Sequence, residues 1–335
     1  MSKTRLRWLA FALVAVIVAA GALIWARSGS SGPVIKTANQ MIAVKDGPAK
    51  DQDVQLDTTL YLPERTPAPA VLVAHGFGGS KESVVSDARE LAGRGFVVLT
   101  WSARGFGRSS GQIALNSPDY EVQDAKQLVD WLAGRPEVQL DGPGDPRVGI
   151  TGGSYGGAIS LLLAGSDPRI DALAPVITYN DLSQALIPNS ATTTQPAGTP
   201  SAGAGSPDGV FKRSWAGILF AAGMGGAGFA DPSADAAESG TIQNNQNAPA
   251  ASPIDSAAQQ QGPPRGAQQS VGPCGKFTPE ICQAYSELAT TGRASQRTID
   301  LLRSVSPVSV TSGITKPTML VQGEQDTLFG LDQAE

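Results

Sequence analysis

The run RVGITGGSYGGAISLLL, residues 147–163, passes from one kind of local structure to another across a single serine. Residues 147–151 (RVGIT) are short and largely apolar and read as a buried strand. Residues 158–163 are mostly apolar and belong to a helix. Between them stand Gly152, Gly153, Ser154, Tyr155 and Gly156, in the pattern G-x-S-x-G. A strand and a helix that meet so abruptly need a tight turn, with glycine wherever a larger side chain would clash. Ser154 then sits in a strained backbone conformation, and the helix N-terminus behind it favours negative charge. In a glycine-rich chain the same pattern also arises as a βα turn without chemistry, so its surroundings matter.

On either side, strands and helices alternate. AVLVA, residues 70–74, and FVVLTW, residues 96–101, read as buried strands. Val84, Val85, Ala88, Leu91 and Ala92 mark one face of a helix; Val122, Ala125, Leu128, Val129 and Leu132 mark another. A further strand lies within residues 171–179. Residues 54–62 alternate apolar and polar side chains, as an early antiparallel strand does. This order implies an α/β fold, a mostly parallel sheet with helices on both faces.

The alternation breaks near Asp181. Residues 188–208 and 231–272 are rich in Ala, Gly, Ser, Pro, Gln and Asn, too poor in apolar surface to offset the entropy of ordering, and irregular chain is expected there. Between them Phe211, Trp215, Ile218 and Leu219 recur at helical spacing; they either line a pocket or form the core of their own subdomain. Helical pattern resumes over 279–288 and 298–305, and TMLVQ, residues 318–322, reads as one more buried strand. The chain therefore divides into an N-terminal segment 1–27, a linker 28–50, a first core part 51–180, an inserted, partly low-complexity cap 181–316, and a second core part 317–335.

The ends and the charge limit the function. Lys3, Arg5 and Arg7 precede an uncharged apolar run from Trp8 to Ala26, closed by Arg27. Roughly 19 apolar residues suffice to cross a bilayer; an uncleaved anchor and a signal cleaved near Ala20-Gly21-Ala22 both fit. The basic flank directs the rest of the chain out of the cytoplasm, so a cell-surface or secreted location and contact with the membrane through this segment are expected. Cys274 and Cys282 are the only cysteines. In an oxidising compartment they read as a local disulfide, and otherwise as two structural thiols. The formal net charge of -5 and the lack of a basic block beyond the extreme N-terminus argue against nucleic acid as a partner, and two cysteines with one distant histidine make a poor zinc site.

Three motifs follow one another. HGFGGSKE starts at His75, directly after the AVLVA strand; TWSARGFGRSSGQ starts at Thr100; ITGGSYGGAIS starts at Ile150. With VDWLAG at 129–134 and PTMLVQGEQDTLF at 317–329, they resemble the X-Pro dipeptidyl-peptidase and cocaine-esterase family of serine hydrolases, over residues 70–174 and 306–335. The resemblance implies the α/β-hydrolase fold and an acyl-enzyme on Ser154, the serine of the nucleophile elbow. The backbone N–H groups of Phe77 and Tyr155 would hold the oxyanion. Asp326, after the TMLVQ strand, would be the carboxylate that orients a histidine; Glu324 is the lesser alternative. Arg104 is read as structural, paired with Asp124. No metal or organic cofactor is implied, and the expected partner is a small-molecule or peptide substrate.

The sequence departs from that pattern in several places. His75 is the one histidine of the chain; it belongs to the loop that donates backbone N–H groups, and the hydrolase order of serine, acid, histidine does not make it the base. No histidine follows Asp326 within the 335 residues, so either the chain is a piece of a longer protein or the protein is not an ordinary hydrolase. Phe77 stands where family members of known activity often carry a tyrosine hydroxyl in the oxyanion hole, and Ser102 stands where the family often has aspartate. X-Pro peptidases hold the substrate's free amine with an acidic feature, and none is identifiable in this cap. An extracellular acyltransferase and a non-catalytic cell-surface binding protein are the alternatives.

Overall fold

In the computed structural model, residues 34–188, 211–225 and 273–334 are described. The N-terminal segment 1–27 and nearly all of the two low-complexity stretches lie outside them. The sheet has six strands: β1 (Lys36–Asp46), β2 (Gln52–Leu62), β3 (Ala70–Ala74), β4 (Val97–Trp101), β7 (Val148–Gly153) and β8 (Ile170–Val176). Their order is β1-β2-β4-β3-β7-β8. β2 runs antiparallel to both β1 and β4, while β4, β3, β7 and β8 are mutually parallel. A two-stranded ribbon, β5 (Leu140–Gly142) and β6 (Asp145–Pro146), lies beside the sheet.

The parallel strands carry apolar side chains to both faces because helices cover both. Leu72 of β3 and Leu99 of β4 pack with Val122, Leu128 and Leu132 of α2 (Glu121–Ala133) and with Leu162 of α3 (Tyr155–Ala164). Their neighbours Val73 and Val98 point the other way, onto Ala88 and Ala92 of α1 (Val85–Gly93). This is the pleat's two-residue period read out in space.

Two expectations need correction. Residues 28–50 were expected to be a linker, but β1 occupies Lys36–Asp46 and pairs with β2 along its whole length. Its first half, KTANQ, is polar and exposed and is held by main-chain pairing, so no apolar period announces it; only Ile42, Val44 and Asp46 turn inward. The TMLVQ segment does run parallel beside β8. Met319 and Val321 N–H donate to Leu173 O at 3.0 Å and Pro175 O at 3.1 Å. Among the described residues it is paired on one side alone, and where a buried strand was expected Met319 is 62 % and Leu320 41 % accessible.

After β8 the chain forms α4 (Leu182–Leu186), α5 (Arg213–Gly223), α6 (Pro279–Thr291) and α7 (Gln296–Ser304). Asp181 caps α4, its side chain accepting from Ser183 and Gln184 N–H. Pro279 opens α6 and Gly292, at φ +70, closes it. Ser295 caps α7 by accepting from Thr298 N–H. The apolar faces of these helices meet each other and the end of the chain: Ala185 and Leu186 pack with Phe211, Ala216, Leu288 and Leu302, and Leu328 and Phe329 close the same cluster. The helices thus sit over the carboxyl ends of β7 and β8, where open α/β sheets place their sites.

Candidate active site

Ser154 joins β7 to α3 with φ 54 and ψ -116, a conformation that a non-glycine residue adopts only where the surroundings impose it. Its N–H donates to Val176 O at 2.9 Å. Its carbonyl accepts from Thr178 Oγ1 at 2.7 Å and from the N–H of Gly157 and Ala158 at 3.0 and 3.1 Å. The glycines are required by approach: a Cβ on Gly152 would stand 2.5 Å from Ala74 O, and one on Gly156 would collide with the same carbonyl. The serine side chain is half-buried and faces a pocket.

The loop after β3 comes up beside it. A Cβ on Gly76 would lie 3.9 Å from Ser154 Cβ, so the HGFGG turn borders the nucleophile position. Phe77 is buried there. Its ring packs edge-on against Phe106 and Tyr155, with centroids at 5.1 and 5.3 Å. Tyr155 opens α3, where the first turn leaves N–H groups without intrahelical acceptors. Its hydroxyl is turned to other work: it accepts from Asn116 N–H at 3.1 Å and donates to Glu121 at 3.3 Å, and burial pushes its pKa up.

Asp326 lies in the turn after the TMLVQ segment. Its Oδ1 accepts from Leu328 N–H at 2.7 Å and Phe329 N–H at 2.9 Å. A side-chain relay connects this turn to the elbow: Thr178 bonds Ser154 O, Thr178 N–H donates to Gln322 Oε1 at 3.1 Å, and Gln322 Nε2 donates to Phe329 O at 2.5 Å. Phe329 and Ser154 line one pocket. Nothing in residue type alone marked Thr178 or Gln322 as members of this relay. Glu324 is exposed.

His75 is fixed in place. Nδ1 donates to Gly76 O at 2.7 Å and Nε2 accepts from Ala103 N–H at 2.9 Å. Burial holds its pKa down at about 4. With both nitrogens engaged it has none to offer Ser154. Arg104, expected beside Asp124, is 3.5 Å from it through Nε; its nearer partner is Asp46, at 2.5 Å. Burial, and the Asp46 carboxyl beside it, push the Asp124 pKa up. Asp46 escaped the sequence reading because it lay in the supposed linker. Among the described residues no group of three or more His, Cys, Asp or Glu side chains is placed to hold a metal ion.

Cys274 and Cys282 are joined in a disulfide. The loop they close is laid against the core, where Ile113 N–H donates to Lys276 O at 2.7 Å and Thr278 N–H to Ile113 O at 3.0 Å. Phe277 is thereby held over Phe77. Among the described residues no helix is long and apolar enough to cross a membrane.

A mixed 1-2-4-3 sheet, a strained serine between strand and helix, and a glycine loop beside it define an α/β-hydrolase fold. The chain belongs to the X-Pro dipeptidyl-peptidase (S15) family, whose sequence profile matches residues 47–334. It is 30% identical over 179 residues to an uncharacterized protein of Mycobacterium tuberculosis, a match covering 50% of this chain and 60% of that one. It is 32% identical over 145 residues to the quorum-quenching protein AidA of Acinetobacter baumannii, covering 42% of this chain and 46% of that protein. A third match is the bis(hydroxyethyl) terephthalate hydrolase of Streptomyces coelicolor, 32% identical over 127 residues, covering 36% of this chain and 37% of the other. The chain thus spans about 60% or less of the length of these relatives.

Proposed function

We propose that this chain carries the nucleophile of a serine hydrolase that cleaves a carboxylic ester or amide through an acyl-enzyme on Ser154. The observation that carries the reading is the strained Ser154 at the floor of a pocket. In this reading Ser154 Oγ attacks the substrate carbonyl, and the N–H groups of Tyr155 and Phe77 receive the oxyanion. The carbon–heteroatom bond then breaks, the leaving group takes the proton removed from Ser154, and water releases the acid and restores the hydroxyl. Asp326 orients the imidazole that relays the proton. His75, with both ring nitrogens engaged, is not that imidazole.

The family's name points to N-terminal dipeptides ending in proline. Such substrates carry an ammonium that needs an acidic partner, and no carboxylate is among the described residues that line the pocket. Family membership therefore supports the chemistry more strongly than the dipeptide specificity. The engaged His75 supports a second reading, a non-catalytic binding protein on the same fold. Ser154→Ala separates the two. Turnover of p-nitrophenyl esters by the native protein should disappear with that change; undiminished turnover would sink the assignment. We also place the protein outside the cytoplasm, attached or released through residues 1–27. The Cys274–Cys282 disulfide supports that location, since cytosolic thiols are kept reduced.

A further inference from the structure

The pocket above Ser154 is walled by rings in series. Tyr285 of α6 stacks on Phe220 of α5 at 3.8 Å and 8°. Phe220 stacks on Phe277 of the disulfide loop at 5.0 Å and 2°, and Phe277 lies over Phe77 at 6.1 Å and 13°. The ladder runs from the cap helices down to the loop assigned to the oxyanion. Leu182, Leu186, Leu288 and Leu302 also line the pocket. The cavity volume is about 80 Å³, room for several waters where one needs about 10–15 Å³. No Asp, Glu, Lys, Arg or His side chain is among the described residues that line it. Its polar side-chain atoms are the hydroxyls of Ser154, Tyr155, Tyr179 and Tyr285, and that of Tyr155 is already bonded to Glu121 and Asn116.

Such a wall selects by desolvation. An unpaired ammonium or carboxylate entering it loses water and gains no partner, while each buried methylene strengthens binding about fourfold. We propose that this pocket is the acyl site and that its substrate class is neutral esters or amides of apolar carboxylic acids, aliphatic with several carbons or aryl, rather than peptides with a free N-terminal amine. The orientation, with the carbonyl at Ser154, rests on the reading of Ser154 as nucleophile. The apolar selectivity rests on the wall alone.

The test is calorimetric binding of neutral amides to the Ser154→Ala protein, in which the nucleophile plays no part. Affinity should rise at least tenfold from butanamide to octanamide, and the positively charged Ala-Pro amide should bind no more tightly than butanamide. Ala216→Trp, which fills the space from α5, should weaken octanamide at least tenfold. Ile218→Ala, on the exposed side of the same helix, should leave it unchanged. The amide series needs no altered pocket, so it decides the matter even if Ala216→Trp does not fold. A flat series, or tighter binding of the Ala-Pro amide than of octanamide, overturns the proposal. A rising series together with ester turnover that survives Ser154→Ala overturns the hydrolase reading and leaves the apolar site standing.

Discussion

His75 is kept neutral by its place in the fold. Burial lowers its pKa from 6.5 to about 4, so between those values the unfolded chain takes up a proton that the folded one refuses. Its contribution is intact above pH 6.5 and is lost as pH falls toward 4, a change on the order of 3 kcal/mol. Other groups titrate nearby. Burial raises Glu121, as it does Asp124, and these carboxyl groups favour the fold at low pH and lose that advantage as pH rises. Asp57, lowered chiefly by its hydrogen bond to Arg108, loses stability only as pH falls through the acid range below its ordinary value of 3.8. The variant must therefore be compared with its parent. His75→Gln, whose amide oxygen can still accept from Ala103, should flatten the fall in urea-unfolding free energy between pH 6.5 and 4.5; an unchanged slope would refute this. Single residues were legible in the sequence where a motif fixed the backbone, as at Gly152, Ser154 and Gly156. Asp46 and Gln322 were not, because their roles depend on partners far along the chain.

Elements were legible in proportion to their apolar period. The helix α5 followed from Phe211, Trp215, Ile218 and Leu219, yet the spacing could not show which flank would face the nucleophile. In the structure Leu219, with Phe220, lines the pocket while Ile218 is largely exposed. β1 was hidden by its polar first half, and the TMLVQ segment misled because an apolar run looks the same beside one neighbour as between two. The disulfide loop has the clearest consequence at this scale. Cys274 and Cys282 are eight positions apart, and closing so short a loop contributes about 2–3 kcal/mol by restricting the unfolded chain. Reduction, or Cys282→Ser, should lower the melting temperature by several degrees. It should also weaken octanamide binding, because Phe277 is freed from its stack. A reduced protein that melts and binds like the oxidised one would contradict that role.

For the molecule as a whole, alternation of strands and helices made the parallel sheet readable, and the break near Asp181 marked where the cap enters. The assembly around the nucleophile was not readable to the same degree. The pocket is built from α4, α5, α6, α7, the disulfide loop and the turn at Asp326, segments that come together only after folding. The site therefore depends on the cap as much as on the elbow. The measurement that bears most directly on Ser154 is covalent: the native protein is treated with an alkyl fluorophosphonate, digested, and mapped by mass spectrometry. One adduct is expected, on the peptide carrying Ser154, absent from Ser154→Ala and slowed by octanamide. A protein that hydrolyses esters while Ser154 remains unmodified would contradict it.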